Sequence, residues 1–198
     1  MTFVVGITGG IGSGKSTLCE HLIKKGYVVH DSDKEVSSLY LKPTHKFIKY
    51  LKMIGLEKCF SGEKIIKKKI SKYFFSNKEI RKNLEKYIHN ELAIKRKKFI
   101  LQNKRTKTKI IFMDVPLLFE KKLDSSFDEI ICVISSKSKR LTRLKKNKKI
   151  SRFYFNEIIK LQTTDKIRKK RADLIILNNL SKKDLIKKVD KYLKEKTQ

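Results

Sequence analysis

The chain has 198 residues, 39% of them hydrophobic and 35% charged, which suits one compact α/β domain with a real core and is too short for two ordinary ones. No apolar run approaches the roughly 18 residues needed to cross a bilayer. The opening Met-Thr-Phe-Val-Val-Gly lacks the basic segment, long apolar stretch and cleavage site of a secretory leader, so a cytoplasmic protein with no membrane partner is expected.

Three scattered cysteines, Cys19, Cys59 and Cys132, fit a reducing compartment and exclude a disulfide framework. His21, His30, His45 and His89 lack metal-ligand spacing, so no structural zinc site is expected. The formal net charge of +30 invites a nucleic-acid reading. Against it, the lysines are spread along the whole chain, and alanine occurs only at Ala93 and Ala172. Lys, Ile and Asn have A/T-rich codons and Ala G/C-rich ones, so a drift in base composition explains the profile without a specific nucleic-acid partner.

Residues 3–8 read as a short buried strand that runs into glycines. Leu18, Cys19, Leu22 and Ile23 then recur at helical spacing, Lys24-Lys25-Gly26 supplies a stop, and residues 27–30 form a second strand. Together they predict one right-handed βαβ unit. Between its strand and helix lies Gly9-Gly10-Ile11-Gly12-Ser13-Gly14-Lys15-Ser16, which satisfies G-x-x-x-x-G-K-[ST] in the context that motif requires. Glycines let successive backbone N–H groups curl inward, and the positive end of the following helix faces the same point. Lys15 adds a cation for β- and γ-phosphates, the Ser16 hydroxyl is a ligand for Mg²⁺, and Thr17 offers a further hydrogen bond. The expected ligand is a nucleoside triphosphate, ATP, with Mg²⁺.

Asp31-Ser32-Asp33 follows the second strand at the same carboxyl edge. A carboxylate there takes a hydroxyl proton, holds Mg²⁺ through water, or caps the next helix. Residues 32–102 are mostly helical in pattern, with breaks near Pro43, Gly55 and Ser61-Gly62. Ile65, Ile66 and Ile70 keep helical spacing, as do Leu84, Ile88 and Leu92, which predicts a helical lobe inserted between core strands. Residues 109–113 form the next strand and end at Asp114, the shape of an element that positions metal or water. Strands are expected at 129–134 and 174–177, a basic helical segment at 151–170, and a closing amphipathic helix at 181–193 capped by Ser181. Arg140, Arg143, Arg152 and Arg168 lie in the basic late segment. Each alone reads as solvated surface, yet phosphoryl transfer needs cations on the developing charge.

Taken together, these residues resemble the dephospho-coenzyme A kinase family over nearly the whole chain. Ile7-Thr8-Gly9-Gly10-Ile11-Gly12-Ser13-Gly14-Lys15-Ser16-Thr17 is similar to its opening, His30-Asp31-Ser32-Asp33 to its D-x-D segment, and Asp114-Val115-Pro116-Leu117-Leu118-Phe119-Glu120 to its D-x-P-L-L-x-E segment. Gln162, Arg168, Ala172-Asp173 and Asn178 resemble its late pattern.

The resemblance implies a P-loop NTPase-type fold, a parallel five-stranded sheet flanked by helices. It implies a core at about 1–31, 106–139 and 171–198, a helical substrate lobe at about 32–105 and a helical lid at about 140–170. It also implies transfer of the ATP γ-phosphate to the ribose 3′-hydroxyl of dephospho-CoA. Asp33 is then the base, with Thr8 close by, while Lys15 and Arg143 serve the transferring phosphate. His89, Arg152 and Arg168 fall on substrate-binding positions, and Ser16 and Asp114 on the metal. Three positions depart from the family pattern: Asn147 and Lys67 stand where arginine is usual, and Asn90 replaces a proline after His89. Two other readings are a related P-loop kinase for a nucleotide or nucleoside and a basic nucleic-acid-binding protein. None of these signals encodes an oligomeric state.

Overall fold

The computed structural model describes residues 1–146 and 151–197, so Asn147 lies outside the described residues. In chain order the elements begin β1 (Phe3–Thr8), α1 (Lys15–Lys24), β2 (Val28–Asp31), α2 (Ser32–Leu41) and α3 (His45–Met53). They continue through β3 (Phe60–Ser61), β4 (Lys64–Ile65), α4 (Lys67–Ser76), α5 (Lys78–Arg105), β5 (Ile110–Asp114) and β6 (Glu129–Ile134). The chain closes with α6 (Lys137–Lys146), α7 (Arg152–Lys160), α8 (Asp165–Arg171), β7 (Leu174–Leu177) and α9 (Lys182–Thr197). These elements divide into two compact units, one of residues 1–31 with 103–198 and the other of residues 32–102.

In the first unit five strands form a wholly parallel sheet in the order β2-β5-β1-β6-β7. The strands are near-continuous apolar runs because helices cover both faces of such a sheet, leaving no wet side to call for alternation. Val5, Ile7, Phe112, Ile131 and Val133 from the sheet pack with Leu18 and Leu22 of α1 and Leu185, Val189 and Tyr192 of α9. Helix α1 stops where the sequence places its stop: Gly26 takes φ +85°, which a side chain rarely adopts. Ser181 and Asp184 cap α9 reciprocally, the Asp184 N–H donating to Ser181 Oγ and the Ser181 N–H to Asp184 Oδ2.

Register decides what the sheet presents at its carboxyl edge. Asp31 sits opposite Asp114, Asp114 opposite Ile7, and Thr8 opposite Cys132. The connection from β5 to β6 passes across β1, and the chain leaves β1 toward β2 but leaves the adjacent β6 toward β7, so the two neighbours lead to opposite sides of the sheet. That is the switch point where open α/β sheets bind ligands.

The second unit is helical around a core of Leu39, Phe47, Leu51, Leu56, Cys59, Ile70 and Leu84. The expected break near Ser61-Gly62 is present, but the helical spacing expected of Ile65, Ile66 and Ile70 does not hold as one helix face. Ile65 belongs to β4 and Ile66 precedes α4, because Phe60–Ser61 and Lys64–Ile65 pair as an antiparallel hairpin. Gly62 at its tip takes φ +58°, so the turn overrides the helical spacing of the isoleucines. No described helix is long and apolar enough to cross a membrane.

Candidate active site

The loop from Gly9 to Gly14 leaves β1 and enters α1 through Gly14, whose φ of +111° serves as the helix N-cap. A Cβ on Gly14 would strike the Asn178 amide, so glycine is required there by both backbone and space. Lys15 is the first residue of the helix and is nearly buried, with Nζ 3.9 Å from Asp114 Oδ1 at the end of β5. The loop therefore enters the helix with a lysine and a carboxylate side by side at its end. Ser16 and Thr17 follow in the first turn of α1.

Side chains from distant segments lock this loop. Arg143 on α6 donates to the carbonyl oxygens of Gly12 and Ser13 at 3.4 and 3.2 Å and to Ser135 Oγ at 3.1 Å. Its other terminal nitrogen reaches the Asn178 carbonyl at 2.8 Å. The Asn178 amide in turn donates to Ser13 O at 2.7 Å, and the Ile11 N–H donates to Gln162 Oε1 at 3.1 Å. Burial lowers the Arg143 pKa, as expected for a guanidinium partly withdrawn from water.

The remaining late-motif residues assemble beside the loop. Arg168 on α8 is 2% exposed and donates to Asp165 Oδ1 at 2.8 Å and to Glu120 Oε1 at 3.3 Å. Glu120 Oε1 also accepts the Thr163 N–H at 2.6 Å. Arg140 on α6 is 7% exposed, with its fork 3.7 Å from Asp165 Oδ2. Gly10 lies directly under both guanidinium groups: a Cβ there would collide with Arg140 Nη1 and press on Arg168 Nη1. Burial pushes the Cys132 thiol of β6 up to about 12, so it is an inert core residue.

The sites expected from sequence are distributed as follows. Gly9 to Thr17, Lys15, Asp114, Arg143 and Arg168 gather at the carboxyl edge of the first unit. Thr8 ends β1 there, with its hydroxyl 3.5 Å from the Pro116 carbonyl. Arg152 opens α7 and is exposed. Asp33 is in the first turn of α2, two residues beyond the end of β2, and His89 is half-buried on α5. Asp173 has a structural task, accepting the Ile130 N–H at 2.8 Å where β7 joins β6. Sequence reading passed over Ser135 and Asp165. The one signal for Asp165 was a lone acid ahead of the basic run 166–171.

Residues 3–184 match the family described as Dephospho-CoA kinase. The Dephospho-CoA kinase of Fusobacterium nucleatum is 36% identical over 189 residues, covering 96% of each chain. Among solved structures, TT1252 from Thermus thermophilus superposes with a TM-score of 0.78 at 27% identity over 98% of this chain and 97% of that one. The Dephospho-CoA kinase from Campylobacter jejuni does so at 0.72 and 25% identity, over 98% of this chain and 97% of its own.

Proposed function

The chain belongs to the dephospho-CoA kinase family, and from that premise we propose that it transfers the γ-phosphate of ATP to the ribose 3′-hydroxyl of dephospho-CoA, completing coenzyme A. The observation that carries this reading is the convergence of family motifs far apart in sequence on one loop. Glu120 of the D-V-P-L-L-F-E segment holds Arg168, Gln162 takes the Ile11 N–H, and Asn178 secures Ser13.

In this reading the loop amides and Lys15 bind the β- and γ-phosphates, and the fixed positive groups act where charge develops in the transition state. Because Arg143 spends its donors on the carbonyls of Gly12 and Ser13, its role is to hold the loop in its phosphate-binding shape. Asp33 accepts the proton of the 3′-hydroxyl as that oxygen bonds to the γ-phosphorus and the bond to the ADP leaving group breaks. Thr8 and His89 serve the acceptor, as does Arg152. Arg168 serves the phosphates. Magnesium suits the donors present: Ser16 offers a hydroxyl and Asp114 a nearly buried carboxylate, hard oxygen ligands of the type that ion takes one or two at a time. Bound there, the ion would offset the negative charge of the triphosphate.

Residues 140–170, of which 147–150 lie outside the described residues, act as a lid that excludes water, since transfer to an alcohol must outrun transfer to water. Exposed Phe153, Leu161 and Ile167 in this stretch support that role. The protein works in the cytosol on small-molecule substrates, and its +30 charge serves no specific nucleic acid. The test is a coupled assay for ADP release with ATP, Mg²⁺ and dephospho-CoA, with AMP as the comparison acceptor. Turnover with dephospho-CoA far above AMP is expected. Preference for AMP would favour a nucleotide kinase instead.

A further inference from the structure

Two buried arginines flank Gly10, and a single carboxylate bridges them. Arg168 is satisfied twice over, by Asp165 at 2.8 Å and by Glu120 at 3.3 Å. Arg140 is not: it faces Asp165 alone, at 3.7 Å, and its buried Nε has no hydrogen-bond partner. A guanidinium withdrawn from water with an idle donor is costly unless something else completes it. It lies against the backbone of the phosphate loop, where a side chain on Gly10 would strike it. Neither Arg140 nor Asp165 is among the residues by which the chain resembles its family.

We propose that Arg140 is an additional phosphate-binding arginine of this enzyme and that Asp165 is its resident counter-ion, an internal anion that the triphosphate displaces. The inference rests on the P-loop binding ATP as proposed above. Arginine offers a planar fork for phosphate oxygens, and a carboxylate presents two oxygens to the same fork. The two anions therefore compete for Arg140 and, in part, for Arg168. The network formed by Arg140 and Arg168 with Asp165 and Glu120 carries balanced formal charge in the absence of nucleotide. When the triphosphate enters, Arg168 keeps Glu120 while Arg140 turns its fork to the phosphates. Asp165, 32% exposed, then turns to water.

The competition fixes the sign of the test. Binding of ATP, of pyrophosphate and of AMP is measured by calorimetry on wild-type protein and on Asp165→Asn, Arg140→Met and the double variant. Asp165→Asn should tighten ATP and pyrophosphate by roughly 3–10-fold, the scale of removing one nearby competing charge. AMP, lacking the outer phosphates, should be unaffected. Arg140→Met should weaken ATP and pyrophosphate but not AMP, and in the double variant the Asp165→Asn gain should vanish. If Asp165 merely braces the arginines, Asp165→Asn will weaken ATP, and the proposal fails. Should that variant not fold, Arg140→Lys and Arg140→Met decide: equal ATP affinity in wild type and both variants would overturn it. A wild-type protein that binds no ATP would instead overturn the P-loop reading on which the inference rests, so the two failures are distinguishable.

Discussion

Of the twelve buried polar or charged residues among those described, eleven belong to the unit of residues 1–31 and 103–198, and Ser32 is the lone one in residues 32–102. The first unit buries Lys15, Asp114, Arg140, Arg168 and Asn178 around one loop, setting Lys15 beside Asp114, Arg168 against Asp165 and Glu120, and Asn178 on the Ser13 carbonyl. The second is held by hydrocarbon and stacked rings. Phe47 stacks on Tyr87 at 5.2 Å and meets Tyr40 edge-on at 5.4 Å, while Tyr50 stacks on Tyr87 at 4.4 Å. Burial pushes the Tyr40 phenol up to about 12. Binding a highly charged phosphate chain requires preorganised donors, and these keep their geometry only if every partner is fixed. In the proposed reading the second unit carries the acceptor, a task that needs only a stable apolar frame with functional groups on its outside. The same chain therefore uses two different kinds of interior.

The sharpest way to break this contrast is Asp33→Asn, which touches the helical unit at its first turn. The variant keeps the shape and the capping capacity of the side chain but cannot take a proton. Turnover should fall by about 10²–10⁴-fold with ATP affinity near wild type. Steady-state kinetics with parallel ATP titration reads this, and near-normal turnover would leave Asp33 as a helix-start residue.

Phe47→Ala attacks the frame of the helical unit. Removing a fully buried ring from its aromatic stack should cost about 3–5 kcal/mol of stability, seen by denaturant unfolding. Hydrogen exchange should place the loss within residues 32–102, with protection of β1, β5 and β6 retained. A uniform loss over both units would show that their interiors are not independent.

Lys15→Ala should lower turnover by about 10²–10³-fold without loss of secondary structure by circular dichroism. A folded variant with normal turnover would contradict the phosphate-site assignment.

Arg143→Ala should have the smallest effect on the chemical step of the variants at the phosphate site. Its donors go to Gly12 O, Ser13 O, Ser135 Oγ and Asn178 O, so removal frees the loop and leaves partners unpaired. Charge-assisted bonds of this kind are worth about 1.5–3 kcal/mol, and the loss should appear in thermal stability and ATP affinity together. A large drop in turnover with both of these unchanged would place the guanidinium on the transferring phosphate.

Much of the unit of residues 1–31 and 103–198 was legible along the chain because its signals are contiguous. Residues 3–8 and 129–134 are mostly apolar, β-branched-rich runs of strand length, and Gly26 and Ser181 mark helix ends within a turn of where they fall. The phosphate loop is legible for the same reason: its function uses the backbone of consecutive residues, and the glycines that free that backbone are visible as letters. The helical unit was legible only as helical. Its hairpin at Phe60–Ser61 and Lys64–Ile65 escaped because two-residue strands carry no period, and the spacing of Ile65, Ile66 and Ile70 resembles a helix face.

Arginines show where the boundary lies. Position in a basic run told Arg143 and Arg168 apart from their neighbours only through the family pattern, and gave Arg140 no distinction at all. Folding brings α6, α8 and the ends of β5 and β7 to one loop, and burial then separates the four arginines. Arg168 becomes paired on both sides, Arg143 becomes a brace, Arg140 keeps an idle Nε beside Gly10, and Arg152 stays in water. A local motif survives in sequence because neighbouring residues perform it. The charge state, partner and task of a long side chain depend on which distant groups share its burial, and those are chosen by packing.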